Sequence, residues 1–248
     1  MKVNFSQKHP IMAAVLWVLV IMVFYFASGA AIAVTEASAT NAMLIRAVGV
    51  FAACLLAVVY MWRSKYGFSE FGFNRLMAKD TRKVLWFLPI LTIEVVPFIA
   101  GFRNDTDLFY ILAVLACTLC VGFAEEVYFR GFIFQTLKVK GTSFAIIVSS
   151  LLFGITHLLN IAGGAGIGET LLQIGFAFFF GLVCVEIRVL TGSIWPVILW
   201  HALHDFLAYT TNEGTRTFML AGAAFQTVIL LAFGLYLFAV IRKKGNPS

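Results

Sequence analysis

Eight long apolar runs dominate this chain, at roughly 11–34, 42–62, 84–102, 108–137, 142–162, 168–190, 193–211 and 218–241. A helix needs about 20 mostly apolar residues to cross the hydrocarbon core of a bilayer, and each run is close to that length. Backbone polar groups have no water partners at lipid depth, so each spanning segment must satisfy its own, as a helix does. The runs therefore predict an all-α, polytopic membrane protein with about eight transmembrane helices. The fourth run is long enough to tilt or to project past the membrane. Composition agrees, since 61% of the 248 residues are apolar and only 12% are charged. Soluble domains carry about 25% charged residues, so this chain lacks the polar material for a water-facing surface. No internal repeat, low-complexity tract or linker divides it, and 1–248 reads as a single transmembrane domain.

The Lys and Arg residues sit in the gaps between runs. With the N-terminus inside, the cytoplasmic gaps hold Lys2, Lys8, Arg63, Lys65, Arg75, Lys79, Arg82, Lys83, Lys138, Lys140, Arg188, Arg242, Lys243 and Lys244. The opposite side holds Arg103 and Arg216, while Arg46 and Arg130 fall inside runs. This asymmetry is a positive-inside signal and puts both termini in the cytoplasm. It also explains the net charge of +6 without nucleic acid, because basic gaps of this kind report orientation and contact with anionic lipid. The gap from Arg63 to Lys83 carries Phe68, Phe71, Phe73 and Leu76 among its charges, as an amphipathic interfacial segment would.

The first run follows two lysines and precedes a small-residue stretch, as in a signal peptide. At 24 residues it exceeds a signal core of about 7–15, and it is read as a retained first helix. All four cysteines, Cys54, Cys117, Cys120 and Cys184, lie in apolar runs. Cys117 and Cys120 form a CxxC, but no second CxxC accompanies it, so small core thiols are expected rather than a zinc or redox pair.

Ionisable groups inside the runs carry the chemistry. A charge at mid-bilayer costs about 2.5–3.5 kcal/mol on insertion scales, so such groups need partners or a task. The fourth run contains Glu125, Glu126 and Arg130. Glu126 and Arg130 stand four apart and share a helix face, which leaves Glu125 turned toward another neighbour. The alternative is a buried ion pair that only fixes packing. The fifth run contains Phe153 and His157, and a lone histidine can equally be a structural hydrogen-bonder. The seventh contains His201, His204 and Asp205, predicted to form one polar stripe. At 1.5 Å per residue, Glu125, His157 and His201 lie roughly 18, 22 and 12 Å above the cytoplasmic ends of their runs, so one pocket can hold all three. Glu94, and a Glu186–Arg188 interfacial pair, are weaker candidates for the same site.

Three motifs now stand in order on separate runs: Glu125-Glu126-x-x-x-Arg130, Phe153-x-x-x-His157 and His201-x-x-x-Asp205. Together with the stretches EEVYFRGFIF (125–134) and TGSIWPVILWH (191–201), they resemble the CAAX prenyl endopeptidase and bacteriocin-processing membrane proteins, the CPBP or ABI family. The resemblance covers roughly 108–207, which would be the catalytic core. It implies a glutamate-dependent intramembrane endopeptidase with catalytic residues Glu125, Glu126, His157, His201 and Asp205. Arg130, Phe153 and His204 would support them. Glu125 would be the general base, His157 would help hold the attacking water, and His201 and residue 205 would stabilise the oxyanion. Many family members have asparagine where this chain has Asp205. An ionised carboxylate repels an oxyanion, so Asp205 would act protonated or by orienting His201 or His204.

The resemblance implies no cofactor. Zinc held by Glu125 or Glu126 with His157 and His201 is the nearest rival, but no HExxH signature occurs. Buried Glu and His also mark transporters and proton relays, yet repeated halves and paired broken helices are not evident. A non-catalytic immunity or regulatory membrane protein is a third alternative. The implied partners are the lipid bilayer and a peptide, prenylated or membrane-bound protein substrate. The compact chain leans toward a bacterial plasma membrane.

Overall fold

A computed structural model describes residues 5–76 and 88–245. The described residues are almost wholly helical. The main helices are α1 (Pro10–Val34), α2 (Ala39–Arg63), α3 (Leu88–Ile93), α4 (Val95–Ala100), α5 (Leu108–Glu126), α6 (Thr142–Thr156), α7 (Ile167–Thr191), α8 (Trp195–Thr210) and α9 (Arg216–Gly245). α5 continues through a π-helical stretch, Val127–Ile133, into Phe134–Leu137. Its N-terminus is capped by the Asp107 side chain, which accepts from the Tyr110 amide at 2.7 Å. α7 ends at Gly192, whose φ of +73° supplies a left-handed cap.

Among the described residues six segments are long and apolar enough to cross a membrane: Pro10–Val34, Ala39–Arg63, Leu108–Lys140, Thr142–Ala162, Ile167–Thr191 and Arg216–Lys243. The expected count of eight is therefore corrected, and the other two runs fail for separate reasons. The run at 193–211 forms the 16-residue α8, about 24 Å long at 1.5 Å per residue, because Gly192 and the Ser193–Ile194 turn precede it. Residues 84–87 of the run at 84–102 lie outside the described residues, as do 77–83 of the proposed interfacial gap. The remainder is broken at Glu94 into two six-residue helices. Pro97 has no N–H to donate to the Ile93 carbonyl four residues back. The Gln226 side chain on α9 donates to that carbonyl instead, at 3.0 Å.

α5 lies between α2 and α8, α7 packs on both α6 and α9, and α1 packs along α2. Backbone ties fix α8 at both ends. At one end the Ile194 amide donates to Gly72 O at 2.8 Å, and the Asn74 side chain donates to Gly192 O at 2.8 Å. At the other, Arg103 and Thr210, and Asn212 and Gly101, bond through their backbones at 2.9 and 2.8 Å. α8 thus runs from one rim of the bundle to the other. The four cysteines are free thiols, and Cys54 donates to the Cys120 carbonyl at 3.4 Å.

Gly122 sets the spacing of α5 and α8. A Cβ there would lie 2.9 Å from the Ala202 nitrogen and 3.0 Å from the Ile198 oxygen, both backbone atoms that cannot swing aside. Gly122→Ala is therefore expected to destabilise the bundle by about 1–3 kcal/mol, the usual cost of overpacking. Thermal unfolding of the two purified proteins in the same detergent measures the difference.

Candidate active site

The close approach at Gly122 brings the C-terminal turn of α5 against the middle of α8. Glu125 and Glu126 end the α-helical part of α5, immediately before the π-helical stretch. Such widened turns recur at functional sites, and every residue of Val127–Ile133 is buried. Glu126 is 0% exposed and Arg130 1%. Arg130 Nη1 lies 3.1 Å from Glu126 Oε1, and its guanidinium rests on the Phe153 ring, 4.2 Å from the centroid. The sequence-expected pair on one face of the helix is present.

His201, 5% exposed, joins that pair from α8. Its Nδ1 lies 2.7 Å from Glu126 Oε1. A carboxylate can only accept, so Nδ1 carries the proton and donates. The other ring nitrogen, Nε2, then faces Glu125 Oε2 at 3.5 Å and Asp205 Oδ2 at 3.7 Å. The ring is wedged edge-on against Phe153 and Phe180, with centroids 5.9 and 5.1 Å away. Arg130 therefore holds Glu126, Glu126 orients His201, and His201 presents Nε2 between two carboxylates. Glu125 is half-buried, and its Oε1 accepts from the Tyr25 hydroxyl at 2.7 Å.

His157 lies at the C-terminus of α6, with Nδ1 3.2 Å from the Phe153 carbonyl. Its ring stands edge-on to Phe153 at 5.4 Å. One phenyl ring thus touches Arg130, His157 and His201. Asp205 lies within electrostatic reach of His157 and Glu125. Glu125, Glu126, Arg130, Phe153, His157, His201 and Asp205 come together.

His204 lies at their edge, within electrostatic reach of Asp205 and His201, but its hydrogen bonds go elsewhere. Three residues along a helix is 300°, so its ring is turned some 60° from His201, while Asp205 falls about 40° to the other side. His204 Nδ1 lies 3.1 Å from both oxygens of Glu94, at the break between α3 and α4. The ring stacks on Phe176 at 5.3 Å. Trp200 Nε1 donates to Glu94 Oε1 at 2.8 Å, so Glu94, Trp200 and His204 form an adjoining cluster. The expected single stripe is split in two. The Glu186–Arg188 pair is also corrected. Two residues along a helix is 200°, and the side chains diverge. Glu186 is buried toward Gly234 of α9, and Arg188 donates to the Glu70 carbonyl.

Tyr25 and Phe180 belong to the site and were not anticipated. Tyr25 has no local signal, being one aromatic among many in the first run. Arg46 lies within electrostatic reach of Tyr209, one turn beyond Asp205. Among the described residues no three His, Cys, Asp or Glu side chains converge as a metal-ligand set.

The fold and this cluster define an integral membrane protein of helical type with a buried carboxylate–imidazole centre. Residues 107–207 match the family model described as Type II CAAX prenyl endopeptidase Rce1-like, in agreement with the resemblance carried by the three motifs. The match takes in every motif residue and leaves Tyr25 and Glu94 outside it. No curated protein and no solved structure matches the chain.

Proposed function

We propose that the chain is an intramembrane endopeptidase that cleaves a lipidated or otherwise membrane-associated peptide, with Glu125 activating the water. The observation that carries this reading is the Glu125 carboxylate. Tyr25 holds one of its oxygens, while the other faces His201 Nε2 and is free to take a proton. In the reaction, Glu125 takes a proton from a water that His157 helps to hold, and the hydroxide adds to the scissile carbonyl carbon. The C–N bond then breaks, and Glu125 passes the proton to the leaving nitrogen. With both ring nitrogens protonated, His201 donates from Nδ1 to Glu126 and from Nε2 to the oxyanion, in a site with little water to compete. Glu126 and Arg130 are positioning residues, because they act through His201. Lipid around the bundle favours a substrate anchored in the same bilayer, and the family description supports a prenylated C-terminus.

The reading is tested with protein reconstituted in liposomes and given a farnesylated peptide, the products being weighed by mass spectrometry. Internal cleavage near the prenylated cysteine is expected, unchanged by excess EDTA. No cleavage of any membrane peptide would favour the immunity or regulatory role, and loss on chelation with recovery on zinc would favour the metal mechanism.

Asp205 gives a finer prediction. Its carboxylate sits where an amide would donate to the oxyanion, so Asp205→Asn removes a repelling charge and adds a donor. Cleavage by Asp205→Asn should equal or exceed that of the parent and should exceed that of Asp205→Ala, which loses the charge but adds no donor, by about 10²-fold. Steady-state kinetics on the same peptide separates them.

A further inference from the structure

The end of the bundle that carries Arg63, Lys65, Arg75, Lys138, Lys140 and Arg188 holds a cavity unconnected with the chemistry above. Its volume is about 320 Å³, and Glu70, Asn74, Gln135, Lys138, Thr142 and Arg188 line it. Arg188 forms its floor from the last turn of α7. This residue is only 7% exposed and lies flat on Phe134, 4.7 Å from the ring centroid. One Nη2 proton goes to the Glu70 carbonyl at 3.0 Å, but Nε has no hydrogen-bond partner among the described residues. Gly72 makes room for it, since a Cβ there would lie 2.9 Å from Nε.

A second donor set meets the same cavity. α6 begins at Thr142 after Gly141, which has no side chain to cap the helix. The first amides of a helix lack internal partners and carry the positive end of its dipole, a combination suited to anions. Lys138, in the turn that leads into α6, lines the same cavity. The single carboxylate present, Glu70, is exposed and already accepts from the Gln135 amide at 3.0 Å. Two cations and a helix terminus thus face one solvent-screened carboxylate, and the buried cation is screened least.

The level of the cavity indicates where the anion comes from. Trp62, Tyr66 and Trp195 are exposed around the same rim, beside Arg63, Lys65 and Lys140. Aromatic and basic residues gather in this way at the headgroup layer of a membrane, and basic pockets between spanning helices suit anionic headgroups. We propose that this cavity binds a phosphate group, supplied by the headgroup of an anionic phospholipid in the leaflet that the charge count makes cytoplasmic. Arg188 would meet the phosphate with the charge of its guanidinium from the cavity lining, and Lys138 and the Thr142 end of α6 would take oxygens directly.

The test uses the purified full-length protein, stripped of lipid in neutral detergent and titrated with phosphatidylglycerol, phosphatidylcholine or inorganic phosphate. Native mass spectrometry counts bound molecules, and thermal unfolding reports stabilisation. One phosphatidylglycerol per chain is expected, held at least about tenfold more tightly than phosphatidylcholine. Lys138→Glu should abolish that preference, whereas Lys140→Glu, exposed and outside the cavity, should leave it within about twofold. Arg188→Gln should also lose it. Because that buried change can impair folding, Lys138→Glu is the deciding variant. If inorganic phosphate stabilises the protein in a Lys138-dependent way and the two lipids bind alike, the site stands and its source is soluble phosphate. Equal lipid binding with no response to phosphate, or Lys138→Glu binding phosphatidylglycerol as the parent does, overturns the proposal.

Discussion

Glu125→Gln is expected to lower kcat for peptide cleavage by about three orders of magnitude, within the 10²–10⁴-fold range of general-base catalysis, while leaving KM and folding nearly unchanged. Glutamine matches glutamate in shape, and its carbonyl oxygen still accepts from the Tyr25 hydroxyl that now bonds Oε1 at 2.7 Å. What disappears is the ability to take a proton from water. A fall in kcat with KM held is the pattern of an interaction made only in the transition state. Tyr25→Phe removes the anchoring hydrogen bond but keeps the base, so its loss should be far smaller. Single-turnover cleavage by both variants, with circular dichroism as the folding control, decides the matter. Substantial turnover by Glu125→Gln would remove Glu125 from the chemistry.

Arg130→Met is expected to have the largest effect on stability, a loss of about 3–5 kcal/mol, the usual result of stripping one partner from a buried ion pair. Glu126 is wholly buried, and Arg130 supplies its cation at 3.1 Å. Methionine fills much of the space but leaves the carboxylate with His201 alone. The double variant Arg130→Met/Glu126→Gln removes both charges and should recover most of the lost stability, because a neutral pair needs no compensation. It should not recover activity, since glutamine no longer fixes the charge and tautomer of His201. Denaturant titration in detergent, alongside the cleavage assay, measures both quantities. Stability restored together with full activity would show that Glu126 has no part in orienting the imidazole.

The residues of the site were more legible than its walls. A carboxylate or imidazole in an apolar run is expensive, so Glu125, Glu126, His157 and His201 announce themselves, and their spacing already pairs Glu126 with Arg130. Tyr25 was invisible because an aromatic costs nothing at lipid depth. The bond it makes spans 100 residues of sequence, beyond the reach of any local pattern. The pairing of His204 with Glu94 depends on a helix break at Glu94 and on a rotation of tens of degrees round α8, which a face-sharing rule treats as the same direction. Hydropathy located the runs but overcounted the spans. It registers how apolar a segment is, and it says little about whether neighbouring contacts end the helix early, as at Gly192 and Glu94.

The short length of α8 has a consequence for the lipid around it. Leu199 and Leu203 point outward from this helix, yet its axis of about 24 Å falls some 6 Å short of a hydrocarbon layer about 30 Å thick. Anchored at both rims, the helix cannot lengthen, and a short segment is met by a thinner bilayer, by snorkelling flanking residues or by association with other protein. Thinning beside α8 would draw headgroups and their hydration inward along that flank, toward His201.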